Sequence, residues 1–90
     1  MPEEMKKLRE SLFEKGIDWI DVTQNFDKGF PFLDLTIYRT HWWVDGHNYS
    51  AISGYGTFGG DKGLLELTID GNESIGSLTA IEVMRMIEDA

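Results

Sequence analysis

The sequence predicts an α+β domain, an antiparallel sheet of about four strands flanked by an N-terminal and a C-terminal helix. Three observations predict it. Apolar residues recur at three- and four-residue spacing only near the two ends of the chain. Between them, β-branched and aromatic residues alternate with polar ones. Turn dipeptides such as Asp45-Gly46 and Asp70-Gly71 divide that middle region into strand-length pieces. Ninety residues without an internal repeat or linker read as a single domain spanning 1–90.

Residues 3–15 carry the first helical pattern. Pro2 stands near the first helical position, where its missing N–H costs nothing, and Glu3 and Glu4 complement the positive end of the dipole. Met5, Leu8 and Leu12, with Phe13 beside them, form the expected buried stripe. Lys6 and Glu10 are spaced to pair on the opposite face. Lys15-Gly16 is a stop signal, and Ile17 follows at the position that packs back on Leu12 in a Schellman ending.

Strand signals follow. Residues 18–23 (DWIDVT) form a short strand, and Asn25 to Pro31 a loop. Residues 32–44 form a long strand in which a bulge or bend is expected. Asp45-Gly46 favours a tight hairpin, with the return strand over 47–57. A two- or four-residue loop puts Tyr38, Thr40, Trp42 and Val44 on one face with Tyr49, Ala51 and Ser53; a three-residue loop puts them with Asn48, Ser50 and Ile52. In each register Leu35, Ile37, Arg39, His41 and Trp43 share the other face. Leu35 and Ile37 are expected in the core and draw Trp43 with them, which leaves Tyr38 and Trp42 outside.

Residues 59–63 (GGDKG) read as a loop, and 64–70 (LLELTID) as a half-exposed strand with Leu65, Leu67 and Ile69 on one side. Thr79-Ala80-Ile81-Glu82 matches a capping box, with Leu78 and Val83 at the staple positions. The second helix then runs from Ala80 to about Asp89 and buries Ala80, Val83, Met84 and Ile87, with Ile81 widening the stripe.

Composition narrows the function. The net charge of −8 disfavours direct nucleic-acid binding, which needs Lys and Arg to displace phosphate counterions. It suits a protein partner with a basic surface. With no Cys, there is neither a disulfide framework nor a thiolate zinc site. No membrane span and no signal peptide are legible, so the expected location is cytoplasmic.

The chemistry-bearing residues concentrate in the hairpin and the glycine-rich run after it. His41, Asp45 and His47 are proper metal ligands by type. A two-residue turn, however, pairs Val44 with His47 and leaves His41 about three rungs away, roughly 10 Å at strand rise. No metal and no cofactor is expected. Ser50 or Ser53 could approach His41 with Asp34 or Asp21 nearby, but no nucleophile elbow surrounds either serine. The carboxylate pairs Asp18 with Asp21 and Asp34 with Glu66 are what sixteen acids produce by accident. No catalytic residue is assigned. The run from Gly54 to Gly60 lacks the Lys-Ser/Thr ending of a phosphate loop. Arg39, His41, Gly54, Gly56 and Lys62 are the candidates for a small ligand such as a nucleotide. Tyr38, Trp42, Tyr49 and Tyr55 are the candidate partner-binding set, since helices on one face of a sheet leave the other face free. A homodimer over that face is an alternative occupant.

The segments YRTHWWVDG, SGYGTFGG, GLLEL and IGSLTAIEVMRMIE resemble short uncharacterised proteins of gut Firmicutes and their phages, over most of the chain. That resemblance implies no activity. The small, acidic, cysteine-free composition is similar to that of phage anti-defence proteins such as anti-CRISPR inhibitors. The expectation is a non-catalytic protein-binding module, in concrete form a phage-type inhibitor of a host nucleic-acid-handling or defence enzyme. The alternative is a nucleotide-binding or sequestering protein that uses the Gly-rich loop.

Overall fold

The computed structural model describes residues 1–25, 36–54, 57 and 62–89. Its elements are α1 (Glu3–Glu14), β1 (Trp19–Asp21), β2 (Gln24–Asn25), β3 (Thr36–Val44), β4 (His47–Gly54), β5 (Leu65–Ile69), β6 (Ile75–Leu78) and α2 (Ala80–Glu88). The fold is α+β. The six strands form one antiparallel sheet in the order β1-β3-β4-β5-β6, with β2 beside β1 on the same edge of β3. The strand count exceeds the expected four. β2 falls on Gln24, which the sequence pattern assigns to no element, and on Asn25, which it reads as loop, and β6 carries Gly76 and Ser77, which weaken a strand signal. A register shift between Leu65 and Leu67, with Ser77 at φ +58°, lets β6 pair despite that sequence.

Both helices lie on one face of the sheet. Helix α1 ends as its sequence predicts. Gly16 takes φ +73°, its N–H donates to the Phe13 carbonyl, and the Ile17 N–H donates to the Leu12 carbonyl at 2.9 Å. Helix α2 opens on a complete capping box. Thr79 Oγ1 accepts from the Glu82 N–H, and Glu82 Oε1 accepts from the Thr79 N–H at 3.0 Å. Glu4 of α1 adds a cap from outside, its Oε1 accepting from the Ala80 N–H at 2.9 Å. At the far ends Lys15 meets Glu88 at 2.9 Å, so the two helices run parallel. Met5, Leu8 and Leu12 meet Ala80, Val83, Met84 and Ile87 in one core.

Two apolar helix positions depart from expectation. Phe13 is 79% exposed and Ile81 is 65% exposed. Each neighbours the buried stripe in sequence but keeps most of its side chain in solvent. The ion pair near the start of α1 is Lys7 with Glu4 rather than Lys6 with Glu10.

Asp45 and Gly46 both take positive φ (51° and 81°), the signature of a two-residue type I′ turn, and Val44 pairs with His47. This register stacks Trp42 on Tyr49 with ring centroids 5.5 Å apart and planes 7° from parallel. The pairing of β4 with β5 sets Ala51 opposite Leu67. Tyr49, Ala51, Leu65 and Leu67 therefore share a face with Trp42, and the helices cover that face. The hairpin ends at Gly54, whose φ of +132° and close approach to the Thr36 carbonyl oxygen leave no room for a Cβ.

Candidate functional site

The covered and open faces of the hairpin are reversed relative to the sequence expectation. Trp42 is wholly buried, Tyr49 is 1% exposed, and half-buried Tyr38 packs against the same core. Burial pushes the Tyr49 hydroxyl pKa up, with help from the nearby charges of Asp70 and Asp45. Trp42 and Tyr49 are thus core residues between sheet and helices with no exposed surface for docking, and Tyr38 is only partly exposed beside them. Tyr55 and Gly56 lie outside the described residues, as do Leu35, Asp34 and most of the run from Gly54 to Gly60.

Trp43, expected in the core, is 52% exposed on the opposite face. Its neighbours follow from register. Ile20 of β1 pairs with His41, His41 pairs with Ser50, Ser50 with Thr68, and Trp43 with Asn48. Alternation puts Ile37, Arg39 and Ile52 on this face as well. Among the described residues no helix covers it. Ile20 is 51% exposed and lies diagonal to Trp43, and the His41 ring meets the Trp43 ring edge-on, at 6.3 Å and 83°. The result is a mixed patch of an indole, an isoleucine and an imidazole at the hairpin-tip half of the open face. Asp18 and Asp45, both exposed, stand at its rim by sequence position.

A signal for this arrangement exists in the sequence. Once Asp45-Gly46 closes a two-residue turn, Trp43 must face Asn48 and His41 must face Ser50. Those polar partners mark the solvent side, whereas Trp42 faces Tyr49 and Thr40 faces Ala51.

The two histidines do not meet. His47, at the tip, places Nδ1 2.7 Å from Asp70 Oδ2. Asp70 also accepts from the Asn48 N–H at 2.7 Å, and that bond, then His47, holds its carboxyl below the usual range. Among the described residues no three His, Asp or Glu side chains converge as metal ligands. Ser53 is buried and donates to the Leu64 carbonyl at 2.8 Å. Ser50 lies beside His41, but among the described residues no hydrogen bond joins them. Asp21 is turned the other way, toward Arg9 and Thr23. Among the described residues no nucleophile, base and orienting group are assembled there; Asp34 lies outside them.

Of the small-ligand candidates, Arg39 and His41 share the open face, Gly54 closes the hairpin, and Lys62 is exposed. Arg39 Nε is buried without a hydrogen-bond partner among the described residues. Thr57 folds back on Gly54, accepting from its N–H at 3.1 Å and donating to its carbonyl at 2.9 Å.

Arg9 was not singled out by the sequence. Its Nε donates to Thr40 Oγ1 at 2.8 Å, and its Nη2 donates to Asp21 Oδ1 at 3.1 Å and to the Arg39 carbonyl at 3.3 Å. The guanidinium lies 4.7 Å from the Trp19 ring centroid. Thr40 in turn donates to Met5 Sδ. Arg9 thus fastens α1 to the β1 edge and satisfies the polar groups buried there.

Comparison with family models, curated proteins and solved structures returns no match. Among the described residues no helix is long and apolar enough to cross a membrane.

Proposed function

We propose that this chain is a small acidic, non-catalytic protein-binding module that docks through the Trp43 end of its open sheet face. The observation that carries the reading is Trp43 itself, half-exposed beside half-exposed Ile20, on a face without a covering helix among the described residues. Trp is costly to expose and is the commonest kind of interface anchor. The partner is a protein with a basic surface, which suits the net charge of −8 and the carboxylates of Asp18 and Asp45 at the rim. In concrete form the module is a phage-type inhibitor that occludes a host nucleic-acid-handling or defence enzyme. Such enzymes present Lys and Arg to phosphates.

The test compares capture of a host-lysate partner by the wild type, by Trp43→Ala with Ile20→Ser, and by Tyr38→Phe on the covered side. Loss of the same captured protein with the first pair alone supports the reading. Undiminished capture by a folded Trp43→Ala, Ile20→Ser variant overturns it. Light scattering at several concentrations distinguishes a second copy of this chain from a foreign partner.

A small-ligand reading has one observation in its favour, the buried and unpartnered Arg39 Nε, a donor that an anion would satisfy. A thermal-shift screen against nucleotides tests it, since a ligand at 100 times its Kd stabilises by about 2.7 kcal/mol.

A further inference from the structure

The geometry points to a second recognition site on the helix side of β1, a groove that takes an arginine or lysine side chain of a protein partner. The groove encloses about 430 Å³ and is lined by Arg9, Glu10, Phe13, Glu14 and Trp19.

Its aromatic lining is half-buried Trp19, over whose ring the Arg9 guanidinium lies, and Phe13, which is 79% exposed. The exposed Phe13 side chain beside Trp19 offers apolar surface to an aliphatic stem and an aromatic ring to a cation. The rim is acidic and uncompensated. Glu10 and Glu14 stand one helical turn apart, a like-charge spacing that is unfavourable by itself. Neither carboxylate takes part in an ion pair among the described residues, where the pairs engage Glu4, Asp21, Glu88 and Asp70 instead.

Arg9 lines the groove but does not neutralise that rim. Its donors are committed to Thr40, Asp21 and the Arg39 carbonyl, and its side chain is only 12% exposed. The last turn of α1 contains no basic residue, so the negative end of the helix dipole adds to the two carboxylates. Lys15, just beyond, is held by Glu88. Two unpaired carboxylates beside apolar surface favour a cation with an apolar stem over a nucleic-acid strand.

The site is separate from the Trp43 patch. Trp19 and Ile20 are consecutive residues of one edge strand and point to opposite faces, so a partner reaching round β1 could engage both. The groove nevertheless has its own chemistry and can be tested without that partner.

The test titrates an oligo-arginine peptide into the full chain and follows proton–nitrogen correlation spectra. A citrulline peptide of equal length is the uncharged control. Saturable shifts confined to Phe13, Glu14 and the Trp19 indole are expected, with none from the citrulline peptide. Glu10→Gln with Glu14→Gln should weaken binding about tenfold, as for the loss of two exposed ion pairs. Phe13→Ala should weaken it about threefold, the worth of an exposed cation–π contact. All three positions are solvent-exposed, and a thermal melt equal to the wild type verifies each fold. Shifts spread equally over Asp45, Glu73 and Asp89, or wild-type affinity in Phe13→Ala, would mean diffuse charge attraction and would overturn the assignment.

Discussion

Trp42 and Trp43 are the same amino acid at consecutive positions, on the two faces of one strand. The first is buried against Tyr49 under two helices, and the second stands half in solvent beside His41 and Ile20. The difference is one of parity alone. A strand sends successive side chains to opposite faces, and a sheet with helices on one side can bury one of those faces. Identical chemistry thus becomes core on one side and exposed surface on the other. On the covered face Thr40, Ser53 and Arg9 are each supplied with partners, whereas the Trp42 Nε1–H is buried without one among the described residues.

The sharpest way to break this contrast is to truncate the two indoles separately. Trp42→Ala should cost about 3–5 kcal/mol of stability, the usual range for an aromatic removed from a core. Trp43→Ala should stay within about 0.5 kcal/mol of wild type. Denaturant midpoints at constant slope measure both, and equal losses would refute the assignment of faces. Gly54→Ala strikes the register that sets those faces. A Cβ there meets the Thr36 carbonyl at a φ of +132°, and a loss of about 1–3 kcal/mol is expected. Circular dichroism melts of the variant against wild type check it.

Smaller effects come from the layer that covers Trp42. Thr79→Ala removes the side-chain half of the α2 capping box and should cost about 1 kcal/mol, read from urea unfolding. The Glu4 carboxyl is held below its ordinary value of 4.5, first by the Ala80 N–H and then by Lys7. A depressed folded pKa contributes stability above the unfolded value and loses it as the pH falls through the folded one. Stability should therefore decline below about pH 4.5, and Glu4→Gln should flatten part of that decline. Urea midpoints across the acid range measure the slope, and an unchanged slope in Glu4→Gln would show that Glu4 is not linked to folding.

Several features were legible in the chain because they depend on near neighbours. The Schellman ending at Gly16, the capping box of Thr79 and Glu82, and the Leu65-Leu67-Ile69 alternation are contacts or patterns a few residues long. The weak position of His41 against His47 followed from strand rise once the turn was known. The covered and open faces were exchanged because Ile37 and Trp43 make the outer parity nearly as apolar as the inner one. Phe13 and Ile81 were misplaced for a related reason, since helical spacing gives a stripe but not its width. Strand β6 escaped notice because its pairing comes from β5, not from its own residues.

By itself, then, the sequence determined the helix boundaries, the Asp45-Gly46 turn and an α+β order of elements. Each of these is stabilised by hydrogen bonds and side-chain packing within a few residues. Only the tertiary structure decided that Trp42 goes in and Trp43 stays out, that Arg9 is spent on Thr40 and Asp21, and that Phe13 borders a groove with Trp19. Those outcomes depend on which side of the sheet the helices settle. That choice is made by the summed burial of Trp42, Tyr49, Leu65 and Leu67 against both helices, a quantity that belongs to no single segment.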